Sequence, residues 1–301
     1  MGSVLSQPVE LIRVQRQGSR FFKCAVAEMQ GWRTSHEDAH AMHCGKETAA
    51  AHFWVLDGHG GDAVANLGAI ALSKEIGPSI SSGCLPSDEV IERGFQAVDQ
   101  ELLRRVSENP ELSSGSTVIG ALAVRQDNGL YSVKVCNCGD SRGLVVRDPE
   151  AADEGSVLVE SVDHKPDNPE ERARIEAAGG FVSGHPVARV DGNLAVSRGL
   201  GDFQFKESGL PTAEHKVCCV PDVYSLTDLG PGTMLILACD GLWDVMSAER
   251  AAGFVRNRLR EQPHADLGDI AAELVRISLE SQSGDNVTVM IVHFVDGSAW
   301  E

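Results

Sequence analysis

The sequence feature that most constrains this chain is residues 53–61, FWVLDGHGG, in which an apolar run stops abruptly on a carboxylate. A run this short, apolar and aromatic predicts a buried strand. The glycines that follow let the backbone turn sharply and leave no side chain to stop a ligand approaching the main chain. Asp57 and His59 are therefore expected at the end of a strand, where functional sites tend to lie.

A plain hairpin turn is the alternative interpretation of this stretch, because Asp-Gly between apolar runs is a strong turn signal. The residues that follow argue against it. Positions 62–76 carry apolar residues at helical spacing behind Asp62, and an acidic residue stabilises the start of a helix. The pattern favours a strand that turns directly into a helix.

The composition fits one large domain with an acidic surface. The 301 residues are 42% hydrophobic, which is enough for a sizeable core, and no linker or repeat divides them. Lys plus Arg number 26 against 44 for Asp plus Glu, a net charge of -18, so no nucleic-acid footprint is visible. Such a chain would repel phosphorylated substrates unless cations inverted the field at its site.

The eight cysteines occur without a signal-peptide pattern and without a Cys-x-x-Cys motif. The spacings of Cys136 with Cys138 and of Cys218 with Cys219 fit thiols on strands better than a zinc site or a disulfide framework. A reducing, cytoplasmic location is expected. No apolar run reaches the roughly 18 residues that a membrane span needs.

The first six residues, MGSVLS, match the pattern for attaching myristate to Gly2 after removal of Met1. The alternatives are an arbitrary start or the remnant of a tag. Acylation predicts peripheral membrane association of a monomeric protein. The expected organisation is an N-terminal segment over residues 1–20, one domain over residues 21–295 and a C-terminal tail over residues 296–301.

Residues 36–40, HEDAH, match the zinc-protease pattern His-Glu-x-x-His. That pattern needs both histidines on one face of a helix, with the glutamate acting as base. The segment is flanked by Gly31 and Gly45 and has no apolar stripe, so the helical context is missing and zinc proteolysis is disfavoured.

Strands and helices alternate irregularly along the rest of the chain. An amphipathic helix is expected over residues 88–109, and a helix capped by Asn168, with Glu171 in a capping box, should end at Gly179-Gly180. The stretch between 180 and 200 is expected to form a mobile flap. Further helices are expected from residue 247 and around residues 270–277, and strands over residues 21–29, 38–44, 116–124, 130–138, 143–146, 233–239 and 287–295.

Four aspartates, Asp57, Asp140, Asp240 and Asp285, stand at the ends of predicted strands. If they converge, their charges repel one another strongly unless counter-ions are present. Ligation by oxygen alone suits Mg²⁺ or Mn²⁺. Two such ions about 3.5 to 4 Å apart form a site for in-line displacement at phosphorus.

Eight motifs in collinear order carry a family resemblance: GWRTSHEDAH (31–40), LDGHGG (56–61), GST (115–117), NCGDSR (137–142), DHKP (163–166), NLAVSRGLGD (193–202), ACDGLWDV (238–245) and GDN (284–286). With them, the chain resembles the metal-dependent serine/threonine protein phosphatases of the type 2C family over about residues 21–294. The resemblance implies an α+β fold, an α-β-β-α sandwich in which helices flank two face-to-face antiparallel β-sheets. It also implies a metal cluster at one end of the sandwich.

The resemblance further implies two Mg²⁺ or Mn²⁺ ions, with Asp57 bridging both. The remaining direct ligands would be the Gly58 carbonyl, Asp240 and Asp285. Water molecules on the ions would be held by Glu37 and Asp38. A third, weaker metal position would use Asp140, Asp240 and Asp244, although Asp244 has the alternative role of an ordinary helix-start carboxylate.

The same resemblance implies that Arg33 would bind the phosphate of a phosphoserine or phosphothreonine protein substrate. It also implies that His59 would protonate the leaving alkoxide. Two alternatives stay open at this point, namely that Arg33 is a surface cation stacked on Trp32 and that His59 only stabilises the glycine-rich turn. The rival function is a catalytically inactive relative that acts as a signalling scaffold. The intact set of carboxylates counts against that rival.

Overall fold

The computed structural model describes residues 4–45, 49–80, 83–148, 150, 156–207 and 209–298. Gly2 and residues 299–301 of the expected tail lie outside this range. The strands are β1 Val4–Gly18, β2 Phe22–Arg33, β3 Ala39–Cys44, β4 Ala50–Leu56, β5 Gly58–His59, β6 Gly115–Ser116, β7 Val118–Arg125, β8 Tyr131–Cys138, β9 Arg142–Val146, β10 Val157–Glu160, β11 Val182–Ser183, β12 Arg189–Val190, β13 Leu200–Gly201, β14 Asp222–Leu229, β15 Met234–Ala238 and β16 Val287–Phe294. The α-helices are α1 Ala63–Ile76, α2 Asp88–Glu108, α3 Pro169–Ala177, α4 Asp240–Trp243, α5 Ala248–Glu261 and α6 Leu267–Glu280.

Two antiparallel sheets form the centre of the molecule. The first sheet has the strand order β1-β2-β16-β15-β9-β10, and the second has the order β14-β8-β7-β4-β3. Each central strand alternates large side chains between its two faces, so both faces of each sheet must be covered by other elements. Two smaller sheets, β13-β6-β5 and β11-β12, lie outside this pair.

Three apolar layers hold the sheets and helices together. The layer between the sheets contains Phe22, Phe53, Tyr131 and Phe294, all fully buried, and the rings of Tyr131 and Phe294 stack with centroids 4.6 Å apart. Helices α5 and α6 cover the outer face of the first sheet, whereas α1 and α2 cover the outer face of the second. The predicted α-β-β-α sandwich is confirmed.

The amphipathic pattern of residues 88–109 forms α2 as predicted. Ile91, Phe95, Val98 and Leu102 are buried on one side of this helix, where they pack in the same apolar layer as Trp54. The turn at residues 127–129 also forms, because the amide of Gln126 donates to the Leu130 carbonyl and joins β7 to β8.

The N-terminal segment differs from the sequence-based expectation. Residues 4–18 form β1, which pairs with β2 from Ile12 opposite Met29 to Gly18 opposite Lys23. The guanidinium of Arg16 also donates to Asp266, next to α6. The predicted division at residue 20 is therefore not a structural boundary, because β1 is the edge strand of the first sheet. The pairing begins at Val4, which lies opposite Arg33.

Between residues 168 and 200, α3 forms directly after Asn168 as predicted, but two details differ from the prediction. The side chain of Asn168 makes no capping bond to α3, and Glu171 binds Arg174 and Arg198 instead of completing a capping box. The stretch after α3 contains the β11-β12 hairpin, and its later part is tied to α3 by a bond from Arg174 to the Ser197 carbonyl. The stretch therefore has some regular structure, and its mobility stays a prediction. None of the described helices is long and apolar enough to span a membrane.

Candidate active site

One edge of the sandwich collects strand ends from both sheets. In the first sheet, Ala238 at the end of β15 pairs with Arg142 at the start of β9, and β16 begins beside the last part of β2. In the second sheet, Val55 near the end of β4 pairs with Ile119 near the start of β7. Side chains that adjoin these strand ends therefore share one edge of the molecule.

Three aspartates converge at this edge. Single carboxylate oxygens from Asp57, Asp140 and Asp240 all lie within 4.8 Å of one another. Burial, followed by the charge of Asp240, raises the pKa of Asp57 well above its usual value. Burial and the charge of Asp140 have the same effect on the pKa of Asp240. The three groups can be ionised together only beside strong positive charge.

The backbone around Asp57 is fixed by the strand that precedes β7. The Asp57 carbonyl accepts hydrogen bonds from the Thr117 amide at 2.9 Å and from the Ser116 hydroxyl at 3.1 Å. At the next position, Gly58, an added Cβ would lie 2.2 Å from the Glu37 carbonyl oxygen. No side chain fits at position 58, so the turn after β4 brings main chain close to main chain.

Asp285 lies just before β16, and its carboxylate forms an ion pair with Arg33 from the end of β2. The Arg33 side chain is 41% exposed, so its guanidinium can also reach a ligand in the cleft. Glu37 accepts a bond from the Gly61 amide at 3.0 Å. Two strand ends of the first sheet thus supply one carboxylate and one guanidinium beside the aspartate group.

Asp38 lies behind this group and is 6% exposed. Its Oδ2 accepts a 2.6 Å bond from the Thr288 hydroxyl, whereas its Oδ1 is buried and has no hydrogen-bond partner within the described residues. Burial raises the pKa of Asp38 to about 6. Cys239 lies within 4.8 Å of Asp38 and Asp57, but burial raises the pKa of its thiol. As a neutral thiol, Cys239 does not suit a hard cation.

His59 is paired with a carboxylate that the sequence did not single out. Its Nε2 lies 2.7 Å from Oδ2 of Asp202, which is 5% exposed. Burial alone would lower the pKa of His59, but the hydrogen bond and charge of Asp202 outweigh it, so the pKa is raised. The imidazole is thus held in a charged environment that favours its protonated form.

The residues predicted for a third metal position are arranged unevenly. Asp140 and Asp240 belong to the close group, whereas Asp244 is exposed and is not one of its members. The ammonium of Lys165 lies 2.5 Å from Oδ2 of Asp140. A positive side chain therefore already approaches this part of the carboxylate cluster.

Most of the residues predicted for the site line one open cleft of about 520 Å³. Its lining combines the four predicted metal positions with Glu37, Arg33 and His59, and it also includes Thr117, Asp140, Arg189 and Asn286. A cleft with carboxylates, two guanidinium groups and one imidazole can hold cations, an oxyanion and a proton donor together.

Comparison with known proteins agrees with this geometry. A family model described as "Protein phosphatase 2C" matches residues 22–287. The chain belongs to the protein phosphatase 2C family. "Protein phosphatase 2C homolog 2" of Schizosaccharomyces pombe is 36% identical over 318 residues, covering 100% of this chain and 80% of that protein. "Protein phosphatase 1B" of Mus musculus is 35% identical over 312 residues, covering 98% and 76%.

A solved structure gives the same result for the fold. The crystal structure of a phosphatase from a pathogenic strain of Toxoplasma gondii superimposes with a TM-score of 0.82 at 26% identity, covering 95% of this chain and 96% of that one. As a member of the protein phosphatase 2C family, the chain is a metal-dependent serine/threonine protein phosphatase. No observation favours the inactive scaffold.

The zinc-protease pattern does not form a zinc site in this phosphatase 2C chain. Residues 36–38 are not helical, and His40 lies in β3. Both histidines approach Glu28 on β2, with His40 Nδ1 at 3.1 Å and His36 Nε2 at 3.8 Å. Because the helix is missing, the two rings cannot share one helical face as the pattern requires.

Sequence reasoning missed Asp202, Lys165 and the part played by Gly115. All three lie in motifs that carried the resemblance to phosphatase 2C, NLAVSRGLGD, DHKP and GST. The motifs were visible, but nothing in the sequence showed which side chains meet, since Asp202 is 143 positions from His59.

Proposed function

We propose that this phosphatase hydrolyses phosphoserine and phosphothreonine side chains of proteins with two Mg²⁺ or Mn²⁺ ions held at the carboxylate edge. Asp57 would bridge the ions, and the other direct ligands would be the Gly58 carbonyl, Asp240 and Asp285. The observation that carries this proposal is the convergence of buried carboxylates whose pKa values are raised by burial and by one another. An all-oxygen donor set of this kind fits hard divalent cations.

The residues around the carboxylates fit water molecules held beside the ions. The buried Oδ1 of Asp38 has no hydrogen-bond partner within the described part of the chain, and Glu37 lines the cleft. We assign these two side chains to such waters. Asp140 and Asp240, with the more distant Asp244, are assigned to a third and weaker metal position, at which Lys165 competes for Asp140.

When bound, the ions supply a nucleophilic water at neutral pH and stabilise negative charge on the phosphoryl group. Arg33 binds the phosphate oxygens through its planar guanidinium, which matches an oxyanion with two donors. His59 donates a proton to the departing serine or threonine oxygen, which is a very poor leaving group as an alkoxide. The substrates are phosphorylated proteins, and the acidic surface excludes nucleic acid.

Hydrolysis of a phosphothreonine peptide tests the proposal. Activity is expected with added Mn²⁺ and is expected to disappear in excess chelator, because oxygen ligands bind these ions only moderately. Asp57→Asn should lower turnover by at least about 10²-fold, since the single residue that serves both ions loses its charge. Titration calorimetry with Mn²⁺ should show weakened binding in the same variant.

Asp127→Asn is the matched control, because this exposed aspartate lies in the β7-β8 turn. It should keep both the turnover and the Mn²⁺ affinity of the unmodified protein. Full turnover in chelator would exclude the metal mechanism, and normal Mn²⁺ binding by Asp57→Asn would exclude its bridging role.

We further propose that Gly2 is myristoylated and that the otherwise cytoplasmic, monomeric enzyme associates reversibly with membranes. The support is the MGSVLS pattern and the nearby positive charge of Arg13, Arg16, Arg20 and Lys23. One acyl chain gives only marginal binding, so such a basic supplement matters.

A further inference from the structure

A small sheet brings His59 and Asp202 together. Its strand order is β13-β6-β5, with β6 in the middle. His59 on β5 lies opposite Gly115 on β6, and Gly115 lies opposite Gly201 on β13. Asp202 is the next residue after β13. Its carboxylate therefore reaches across Gly115 to the imidazole on the other side of the sheet.

Only glycine allows this contact at position 115. A Cβ built there would lie 2.0 Å from Oδ2 of Asp202 and 2.2 Å from Nε2 of His59. Both distances are far shorter than a real carbon contact, so any side chain would separate the carboxylate from the imidazole. The His59–Asp202 contact therefore depends on the absence of a side chain at Gly115.

The backbone at Asp202 is held in an unusual conformation. Its φ angle is +51°, a left-handed value that residues with a side chain seldom adopt. The neighbouring chain is clamped from α2, because Asp99 accepts a bond from the Gly201 amide at 2.9 Å and from the buried Lys206 ammonium at 2.8 Å. The loop that carries Asp202 is thus fixed by a buried ion pair outside the cleft.

We infer that Asp202 is the positioning residue of this phosphatase: its carboxylate holds Nε2 of His59 and orients the imidazole for donating a proton from Nδ1 to the leaving oxygen. This inference rests on the proposed role of His59 as the acid. No hydrogen bond to Nδ1 is found within the described residues, so this nitrogen is available to a substrate in the cleft. The proton passes from Nδ1 to the serine or threonine oxygen as its bond to phosphorus breaks, which leaves a neutral hydroxyl and a neutral imidazole.

A loss of activity on one substrate but not on another tests this role. Asp202→Asn and Asp202→Gly both suit the left-handed backbone, so they remove the charge or the whole side chain without forcing the loop to move. Each should lower kcat on a phosphothreonine peptide by about 10- to 100-fold, the loss expected for a misplaced catalytic group. On p-nitrophenyl phosphate the loss should be less than about threefold, because its acidic phenol leaves without a proton.

A double-mutant cycle shows whether Asp202 acts through His59. In a His59→Gln background, Asp202→Asn should cause no further loss on the peptide, since the group it positions is already gone. Mn²⁺ affinity measured by calorimetry should stay the same in all these variants. Asp228→Asn is the control, because Asp228 has φ +58° but lies in the exposed part of β14.

The outcomes distinguish the positioning role of Asp202 from the acid role of His59. If the losses from His59→Gln and Asp202→Asn multiply in the double variant, or if both Asp202 variants slow the two substrates equally, Asp202 does not position His59. If His59→Gln alone slows both substrates equally, the acid role of His59 in the proposed function fails. The cycle then still decides whether Asp202 acts through His59.

Discussion

His52 is a buried histidine that affects the stability of this protein at low pH. It is 5% exposed on β4, its Nδ1 accepts a 3.2 Å hydrogen bond from the Trp54 indole, and its ring stacks on His43 with centroids 5.0 Å apart. Burial, assisted by the nearby His43, lowers the pKa of His52 to about 4. The folded protein therefore keeps this ring neutral.

A pH-dependent loss of stability follows from His52. An unfolded histidine binds a proton near pH 6.5, whereas the folded His52 resists protonation until about pH 4, so the folded state loses stability as pH falls between these values. From pH 7 to pH 5, the free energy of unfolding should fall by about 2 kcal/mol through this residue. Urea unfolding at both pH values should show that His52→Gln lowers the pH dependence by that amount.

The comparison uses only the difference between two proteins, so the contributions of the shared carboxylates cancel. His185→Gln, at an exposed position between β11 and β12, should keep the pH dependence of the unmodified chain. An identical pH dependence in His52→Gln would contradict the role of His52.

Single residues differ in how far the sequence reveals them. Asp57 could be predicted because a carboxylate after a short apolar strand and before glycines is a local pattern. Asp202 could not, because its proposed function depends on His59, which only the folded chain brings near it. The cap at Asn168 failed for a related reason, because its side chain donates to the Asp163 carbonyl at 2.8 Å and Glu171 pairs with Arg174 and Arg198.

At the scale of elements, the small β13-β6-β5 sheet makes a prediction of its own. Gly115→Ala should act like the loss of Asp202, because the added Cβ forces the Asp202 carboxylate away from His59. We expect a loss of about tenfold or more on the phosphothreonine peptide and a much smaller loss on p-nitrophenyl phosphate. Steady-state kinetics on both substrates measures this.

Gly253→Ala is the matched control for this change. A Cβ at Gly253 meets nothing within 4 Å on α5, so alanine should leave the kinetics unchanged there. A Gly115→Ala variant with normal selectivity would show that the small sheet tolerates a side chain and that the gap is not required.

The longer elements were predictable and the shorter ones were not. Helix α2 and strands β4, β7, β8, β15 and β16 carry continuous apolar or periodic patterns, which report burial directly. Strand β1 was missed, because Pro8 interrupts it and only one of its faces meets α6, through Ile12 and Val14. Strands β5, β6 and β13 have two residues each, too few for any periodic signal.

At the scale of the whole molecule, the proposed acyl group and the basic residues near it act against the net charge of -18. Acylated protein should sediment with phosphatidylcholine vesicles and more fully with vesicles rich in anionic lipid, since the basic residues near Gly2 attract that lipid. Gly2→Ala should abolish binding to both. Mass spectrometry of the N-terminal peptide from the native cell establishes whether the acyl group is present.

An unmodified Gly2 in that peptide would refute the acylation proposal. Equal sedimentation of the Gly2→Ala variant would show that any membrane affinity has another origin. Neither result bears on the carboxylate edge, whose metal binding does not depend on the acyl group.

The pairing of Val4 with Arg33 limits the distance between an acyl group on Gly2 and the cleft. Gly2 precedes Val4 by two residues, and two residues span at most about 7 Å. An acyl chain on Gly2 would therefore tether the molecule beside Arg33, at the mouth of its own cleft. Phosphoproteins confined to the same bilayer would meet that cleft at a high effective concentration, whereas freely diffusing ones would gain nothing from the tether.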